Sequence, residues 1–384
     1  MAFNVKDFGA LGDDIKDDTL SIQAAIAAAE KADGGEVLVP VGTYKLTGTL
    51  NIAGAGVAVR GESRLSAALK QYAQNAPTIK VTGNFFSLKS LCIYYNGTPS
   101  MGGTAIHTES SYSTFDDFVI RSAYRGVVVM NGASQKMTGF EIFDYEDVGI
   151  FVSKTNDIFV SRFLMNAGNT SRGIGGGIRL IDKVEAFVCS DGDILLGVYS
   201  MTTDGAEIGN RPAYCNFSNV FFDSSDGKAG GGVVLEKIVE SEFVGCWFSN
   251  GRTGSGNAGL FTNNVDSLGF TNCRFFNCGG DGAFIRNSSV RMVFKGCKFE
   301  SNSVTSGDGI ANGLRIESGT KDFIVQGCIA HNGLYSGKQK YGILVEPGSS
   351  DRYIIADNLV NGNVKPAGVS DGGRGRNKHV RNNY

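Results

Sequence analysis

Phe243-Val244-Gly245-Cys246-Trp247-Phe248-Ser249-Asn250 decides the reading of this chain, because its frame returns as Phe270-Thr271-Asn272-Cys273-Arg274-Phe275-Phe276-Asn277. It returns again as Phe294-Lys295-Gly296-Cys297-Lys298-Phe299 and as Ile324-Val325-Gln326-Gly327-Cys328-Ile329-Ala330-His331-Asn332, and Asn219-Val220-Phe221-Phe222 fits it upstream. Each copy leads to a second short apolar stretch, among them Gly232-Val233-Val234-Leu235, Gly313-Leu314-Arg315-Ile316 and Gly342-Ile343-Leu344-Val345. A period of about 21–31 residues, held over most of a chain, marks a solenoid with one coil per repeat. Coils stack about 4.8 Å apart, so equivalent residues form columns along the axis. Cys246, Cys273, Cys297 and Cys328 then share one inward column, where a free thiol serves as a small hydrophobe. The expected fold is all-β: a right-handed single-stranded parallel β-helix.

The composition agrees. The chain has 384 residues with 54 Gly and 6 Pro, and is rich in Asn, Ser, Val, Ile and Phe. Gly and Asn accept the left-handed backbone of short turns, and β-branched and aromatic residues suit strands. A formal charge of −2 gives no support to a nucleic-acid or membrane partner. No apolar run approaches the roughly 18–20 residues of a membrane span. The opening Met-Ala-Phe-Asn-Val-Lys-Asp lacks the basic and apolar regions of a signal peptide, which points to synthesis in the cytoplasm. Eight cysteines in a chain this long do not make a disulfide scaffold. His107, His331 and His379 are scattered, so neither a metal site nor a cofactor is expected.

Residues 1–50 read as an N-terminal cap and first strand, and residues 51–384 as the β-helix. Asp18 or Thr19 can cap a short helix over about 19–31, with Ile22, Ala25, Ile26 and Ala29 on one face. Asp33-Gly34-Gly35 ends it, and Glu36–Val39 reads as a strand. A solenoid needs such a cap because its first coil would otherwise expose its core.

The stretch from Asn4-Val5-Lys6-Asp7-Phe8-Gly9-Ala10-Leu11-Gly12-Asp13 through Asp17-Asp18-Thr19, Ile22-Gln23-Ala24-Ala25-Ile26 and Gly34-Gly35-Glu36-Val37 to Pro40-Val41-Gly42-Thr43-Tyr44 resembles the opening of the pectate-lyase-like β-helix superfamily. That group holds phage tailspikes and capsule depolymerases, pectinases and fructan-converting enzymes. The motif covers about forty-five residues and is specific for the fold rather than for a reaction. The resemblance implies structural roles for Asp13, Asp14, Asp17 and Asp18. The closing segments Asp357–Asn363 and Gly368–Gly373 also resemble the last coils of phage tail proteins, which implies a homotrimer in a virion tail assembled in the host cytoplasm.

Strand side chains alternate, so the residue after each cysteine column faces solvent. That outward column reads Glu141, Arg162, Asp193, Phe221, Trp247, Arg274, Lys298 and Ile329, and a neighbouring one offers Asp223, Ser249, Phe276 and Glu300. Aromatic faces stack on sugar rings, and Arg and Lys hold acidic groups. Phe221, Trp247, Arg162, Arg274 and Lys298 are therefore candidate substrate-binding residues. Glu141, Asp193 and Asp223 are candidate catalysts, because glycoside hydrolysis needs two carboxylates. Glu141 with Asp193, or Asp193 with Asp223, can supply the pair. The cluster Phe143-Asp144-Tyr145-Glu146-Asp147 reads as a solvated or calcium-holding bend. Gly279-Gly280-Asp281-Gly282 lacks the paired aspartates of polygalacturonases and receives no catalytic role. Val198–Asp204 interrupts the repeat and reads as a loop that walls a groove beside Asp193.

Three functions follow. The first is a tailspike-type protein that binds and cleaves a bacterial capsular, O-antigen or exopolysaccharide, with hydrolysis favoured over β-elimination. The second is a free bacterial lyase, hydrolase or fructan-converting enzyme, which would be extracellular. The third is a non-catalytic receptor-binding module, marked by an aromatic groove without a carboxylate pair.

Overall fold

The computed structural model describes residues 1–168, 176–205, 209–225, 231–250, 257–286, 288–334 and 337–384. The chain forms two compact units, Met1–Arg179 and Leu180–Tyr384. Both are built from parallel β-coils, with about 13 turns in the whole chain. Among the described residues no helix is long and apolar enough to cross a membrane.

In the first unit the helix runs from Thr19 to Lys31 and buries Ile22, Ala25, Ile26 and Ala29. Asp18 precedes it without capping it; its carboxylate instead accepts from the backbone N–H of Leu11 (2.8 Å) and Gly12 (2.9 Å). Asp13 accepts from Ile15 and Lys16, Asp17 from Thr19 and Thr47, and Asp14 pairs with Lys70 at 2.6 Å. Asp13, Asp17 and Asp18 therefore tie the cap together, and Asp14 ties it to the strand Ala67–Gln71.

What shapes a coil is a set of corners in the left-handed backbone region. In the first unit one corner column holds Phe85, Tyr112, Ser134 and Asp157, and a second, five residues later each time, holds Ser90, Asp117, Gly139 and Arg162. Ser122 and Asp144 begin a third, five residues further on. The second unit repeats the rhythm: Ala186, Asp191 and Leu196; Tyr214, Asn219 and Ser224; Ser267, Asn272 and Asn277; Arg291, Gly296 and Ser301. Four residues between corners make a short strand that presents two side chains inward and two outward. The parallel ladder from coil to coil then holds each column in line.

The inward columns are ladders of like residues. In the second unit Phe217, Phe243, Phe270 and Phe294 stack with ring centroids 4.7, 5.0 and 4.9 Å apart. Phe222, Phe248, Phe275 and Phe299 form a second ladder at 5.2, 4.6 and 4.9 Å. Each such pair adds about 0.5–1.5 kcal/mol beyond the area it buries. Cys246, Cys273, Cys297 and Cys328 stand in one inward column, and each thiol donates to a carbonyl of the preceding coil, that of Phe217, Phe243, Phe270 or Phe294 at 3.2–3.6 Å. All eight cysteines are free and buried.

At the bend after the cysteine strand, Asn250 and Asn302 are buried and bridge backbone groups. Asn277 instead takes the left-handed corner itself. The segment read as a loop beside Asp193 is a strand, Tyr199–Asp204, paired in register with Gly231–Glu236 and burying Met201 and Thr203. It is an ordinary coil wall, because its alternation satisfies the ladder despite the irregular spacing around it.

A β-branched side chain at a left-handed corner costs about 1–2 kcal/mol. Asn272→Val should lower the stability of the second unit by that amount while Asn272→Gly stays close to the parent. Midpoints of urea unfolding check the difference.

Candidate functional site

The outward face between the second and third corners of the second unit carries two adjacent files. Asp193, Phe221, Trp247, Arg274, Lys298 and Ile329 are partners in one file across successive coils. Leu195 and Asp223 are partners two residues along, and so are Phe276, Glu300 and His331. The file read from sequence is thus correct from Asp193 onward.

Phe221 and Trp247 stack at 4.3 Å with their planes 23° apart, and Trp247 keeps 37% of its surface exposed. Phe276 meets Trp247 edge-on at 5.5 Å. The Arg274 guanidinium lies 4.3 Å from the Phe276 ring centroid and donates to Glu300 Oε2 at 2.5 Å. Glu300 Oε1 faces His331 Nε2 at 3.3 Å. This network holds Arg274 flat against the aromatic cluster. Lys298 is exposed, and no carboxylate lies within ion-pair distance of it among the described residues.

At the other end of the file, Asp193 is half-buried beneath Phe221. Burial first, and the negative charge of Asp223 second, push its carboxyl up to about 6. Its Oδ1 atom is buried and has no hydrogen-bond partner among the described residues. Asp223 itself is only partly covered and accepts from Ser224 Oγ at 3.1 Å. Two carboxyls in such unequal settings can divide the acid and base roles of one reaction.

Glu141 belongs to the first unit. Arg64 Nη2 holds it at 3.0 Å, over an outward apolar patch of Ala68, Cys92 and Val119 flanked by Tyr94 and Phe143. Arg162 is not in this file. It sits at the second corner, opposite Gly139, with its guanidinium donating to Thr138 Oγ1 at 3.0–3.1 Å, and Leu164 faces out beside Glu141 in its place. The column slipped by two residues because a corner filled by Arg carries no Gly or Asn to mark it.

The acidic bend is solvated at Asp144, which is exposed at a left-handed corner, but not at its other end. Tyr145 and Asp147 are buried, and Asp147 receives Arg125 at 2.6 Å and Arg179 at 3.3 Å. Asp281 is buried too; it accepts from the backbone N–H and side-chain amide of Asn312 at 2.6 and 2.9 Å and latches one coil to the next. The residue that sequence reasoning missed at the site is His331, which only the register with Glu300 brings into the file.

Residues 2–176 match the family described as rhamnogalacturonase A/epimerase, pectate lyase-like, and residues 204–384 match the right-handed beta helix region. Mannuronan C5-epimerase AlgE1 of Azotobacter vinelandii is 60% identical over 48 residues, which are 12% of this chain and 3% of that protein. The chain thus aligns with only a small part of the curated relatives it matches. Among solved structures, tailspike protein 3 of bacteriophage CBA120 superposes with a TM-score of 0.73 at 14% identity, over 99% of this chain and 61% of that one. DFA-IIIase from Arthrobacter chlorophenolicus A6 superposes with a TM-score of 0.61 at 12% identity, over 97% of this chain and 98% of that one. These superpositions establish a shared fold.

A carboxyl at about 6 in the fold and about 3.9 when unfolded favours the folded state below pH 4, and that contribution is lost as pH rises through 6. The stability of Asp193→Asn relative to the parent should therefore rise between about pH 4 and 6 and level off above. Asp223→Asn should bring the Asp193 carboxyl down, read by carboxyl-carbon NMR titration.

Proposed function

Because the chain carries a pectate-lyase-like domain followed by a right-handed β-helix region, we propose that it is a tailspike-type protein that binds a bacterial surface polysaccharide along the Phe221–Trp247 file and hydrolyses it with Asp193 and Asp223. One observation carries this reading: a half-buried carboxyl raised to about 6 stands beside a second carboxylate, at the end of an exposed aromatic and cationic file. Asp193, whose carboxyl holds its proton up to about pH 6, is the general acid to the departing sugar oxygen. Asp223, the carboxylate beside it, is the base that takes a proton from water.

Adjacent coils about 4.8 Å apart, with a two-residue offset along the strand, put the two α-carbons about 8 Å apart. Carboxyls about 6.5–9.5 Å apart leave room for that water and invert the anomeric centre, whereas about 5–5.5 Å serves retention. The diagonal arrangement therefore favours inversion. The aromatic pair holds sugar rings by their apolar faces, and Lys298 meets an acidic substituent further along. β-Elimination from a uronate would ask cations to neutralise its carboxylate, but Arg274 is already engaged by Glu300 and the Phe276 ring, which favours hydrolysis. In this reading the protein works as a homotrimer in a virion tail; a free bacterial polysaccharide-modifying enzyme is the alternative, consistent with what AlgE1 and DFA-IIIase are named for.

Incubation with a panel of capsules, O-antigens and exopolysaccharides tests the proposal. New reducing ends without the ultraviolet band of an unsaturated uronate are expected. Asp193→Asn and Asp223→Asn should each slow release by about 10²–10⁴-fold, the usual share of one acid–base group. Trp247→Ala should weaken binding about tenfold, roughly 1.4 kcal/mol. Binding without any cleavage would leave a receptor-recognition module, and an unsaturated product would make the chain a lyase.

A further inference from the structure

We propose a second saccharide site in the first unit, on the corner platform of Phe85 and Tyr112 with Phe159 and Lys136, for a polysaccharide bearing acidic groups. It goes beyond the catalytic reading and takes from it only the class of ligand.

Phe85 and Tyr112 occupy consecutive positions of the first corner column, both at φ 58°, where the next two coils place Ser134 and Asp157. Small polar residues satisfy that backbone without strain, and a bulky ring there is uncommon. Closing the corner therefore does not explain the rings. They stack on each other at 5.2 Å, 14° from parallel, and still expose 61% and 58% of their surfaces. Both project into solvent rather than into the core.

The outward file beside this corner reads Thr114, Lys136 and Phe159, one per coil. Phe159 is 40% exposed and stands two coils above Tyr112's, about 9–10 Å away at the ladder spacing. A groove of about 380 Å³ lies there, lined by Tyr112, Ser113, Thr114, Ser134, Lys136 and Phe159. Its width admits one sugar ring between two aromatic walls, over a floor of hydroxyls.

Charge names the ligand more closely. Lys136 is exposed and no carboxylate lies within ion-pair distance of it among the described residues, while nearby Lys89 is held by Asp116 at 3.2 Å. An ammonium group left open between two aromatic walls matches a pyranose that carries a carboxylate. A second protein subunit fits less well. Its interface would bury about 800 Å² per partner around an apolar centre, and here Ser134 and Lys136 separate Phe159 from the stacked pair of Phe85 and Tyr112.

Affinity electrophoresis through gels cast with alginate or polygalacturonate, with dextran as the neutral control, tests the site. Trp247→Ala serves as the background, so that binding along the Phe221–Trp247 file is weakened, and the corner is read from the difference its own variants make. Retardation by one or both acidic polymers and not by dextran is expected. Phe85→Asn with Tyr112→Asn should lower the apparent affinity at least tenfold, and Asn keeps the left-handed corner. Lys136→Gln should remove most of the salt dependence as a second, non-disruptive variant. A failure of the cleavage reading shows separately, as missing reducing ends with the parent protein. The proposal is overturned if neither acidic polymer retards the Trp247→Ala protein, if the paired Asn variant is retarded as before, or if that variant turns an oligomer into a monomer on size exclusion, which would make the corner a subunit contact.

Discussion

Everything in this chain depends on the hydrogen bonds that run between coils, and those bonds require every coil to turn at the same places. A parallel ladder tolerates no drift: a slip of one residue would reverse the inward and outward faces of every strand above it. The left-handed corners prevent the slip. Their five-residue spacing, as from Tyr112 to Asp117 to Ser122 or from Ser267 to Asn272 to Asn277, sets two strands of fixed length whatever the composition. The phenylalanine ladders and the cysteine column are the result of that regularity. Once register is fixed, each ring finds its own kind about 5 Å away.

The same constraint explains how much could be read from the residues alone. Where a corner holds Gly or Asn, as at Gly245, Asn272, Gly296 and Gly327, the turn announces itself, and the file from Phe221 to Ile329 was assigned correctly. Where Arg162 or Leu196 takes the corner, nothing in the residue type marks it, and the reading slipped. The capping helix was legible because its apolar spacing is local. Asp147 was misjudged because its two arginine partners, Arg125 and Arg179, lie 22 and 32 residues away. Phe85 and Tyr112 escaped notice because a ring in a β-rich segment looks like a strand residue until the backbone shows it at a bend.

Charged side chains follow the ladder as well. Arg274 with Glu300, Arg286 with Glu317, Arg315 with Glu346 and Arg352 with Asp322 each join residues 26–31 apart, on consecutive coils. Exposed pairs of this kind contribute little each, about 0–1 kcal/mol. They join opposite charges from one coil to the next. Asp193 and Asp223 differ: two acids adjoin on neighbouring coils with no cation paired to either among the described residues, and the charge of one raises the carboxyl of the other. On this file the result is a carboxyl that holds its proton up to about pH 6.

The corners also divide each coil into a part of fixed length and a part that is free. From first to third corner the count is ten residues, whether from Tyr112 to Ser122 or from Arg291 to Ser301. The way back to the next first corner takes 12 residues from Ser122 to Ser134 but 21 from Ser301 to Asp322. Extra residues enter only on that return, where loop closure charges little for added length. The return segments are thus interchangeable cassettes: a lineage can trade one for another, and so change what the rim of the molecule recognises, without disturbing the machinery that holds the columns in line.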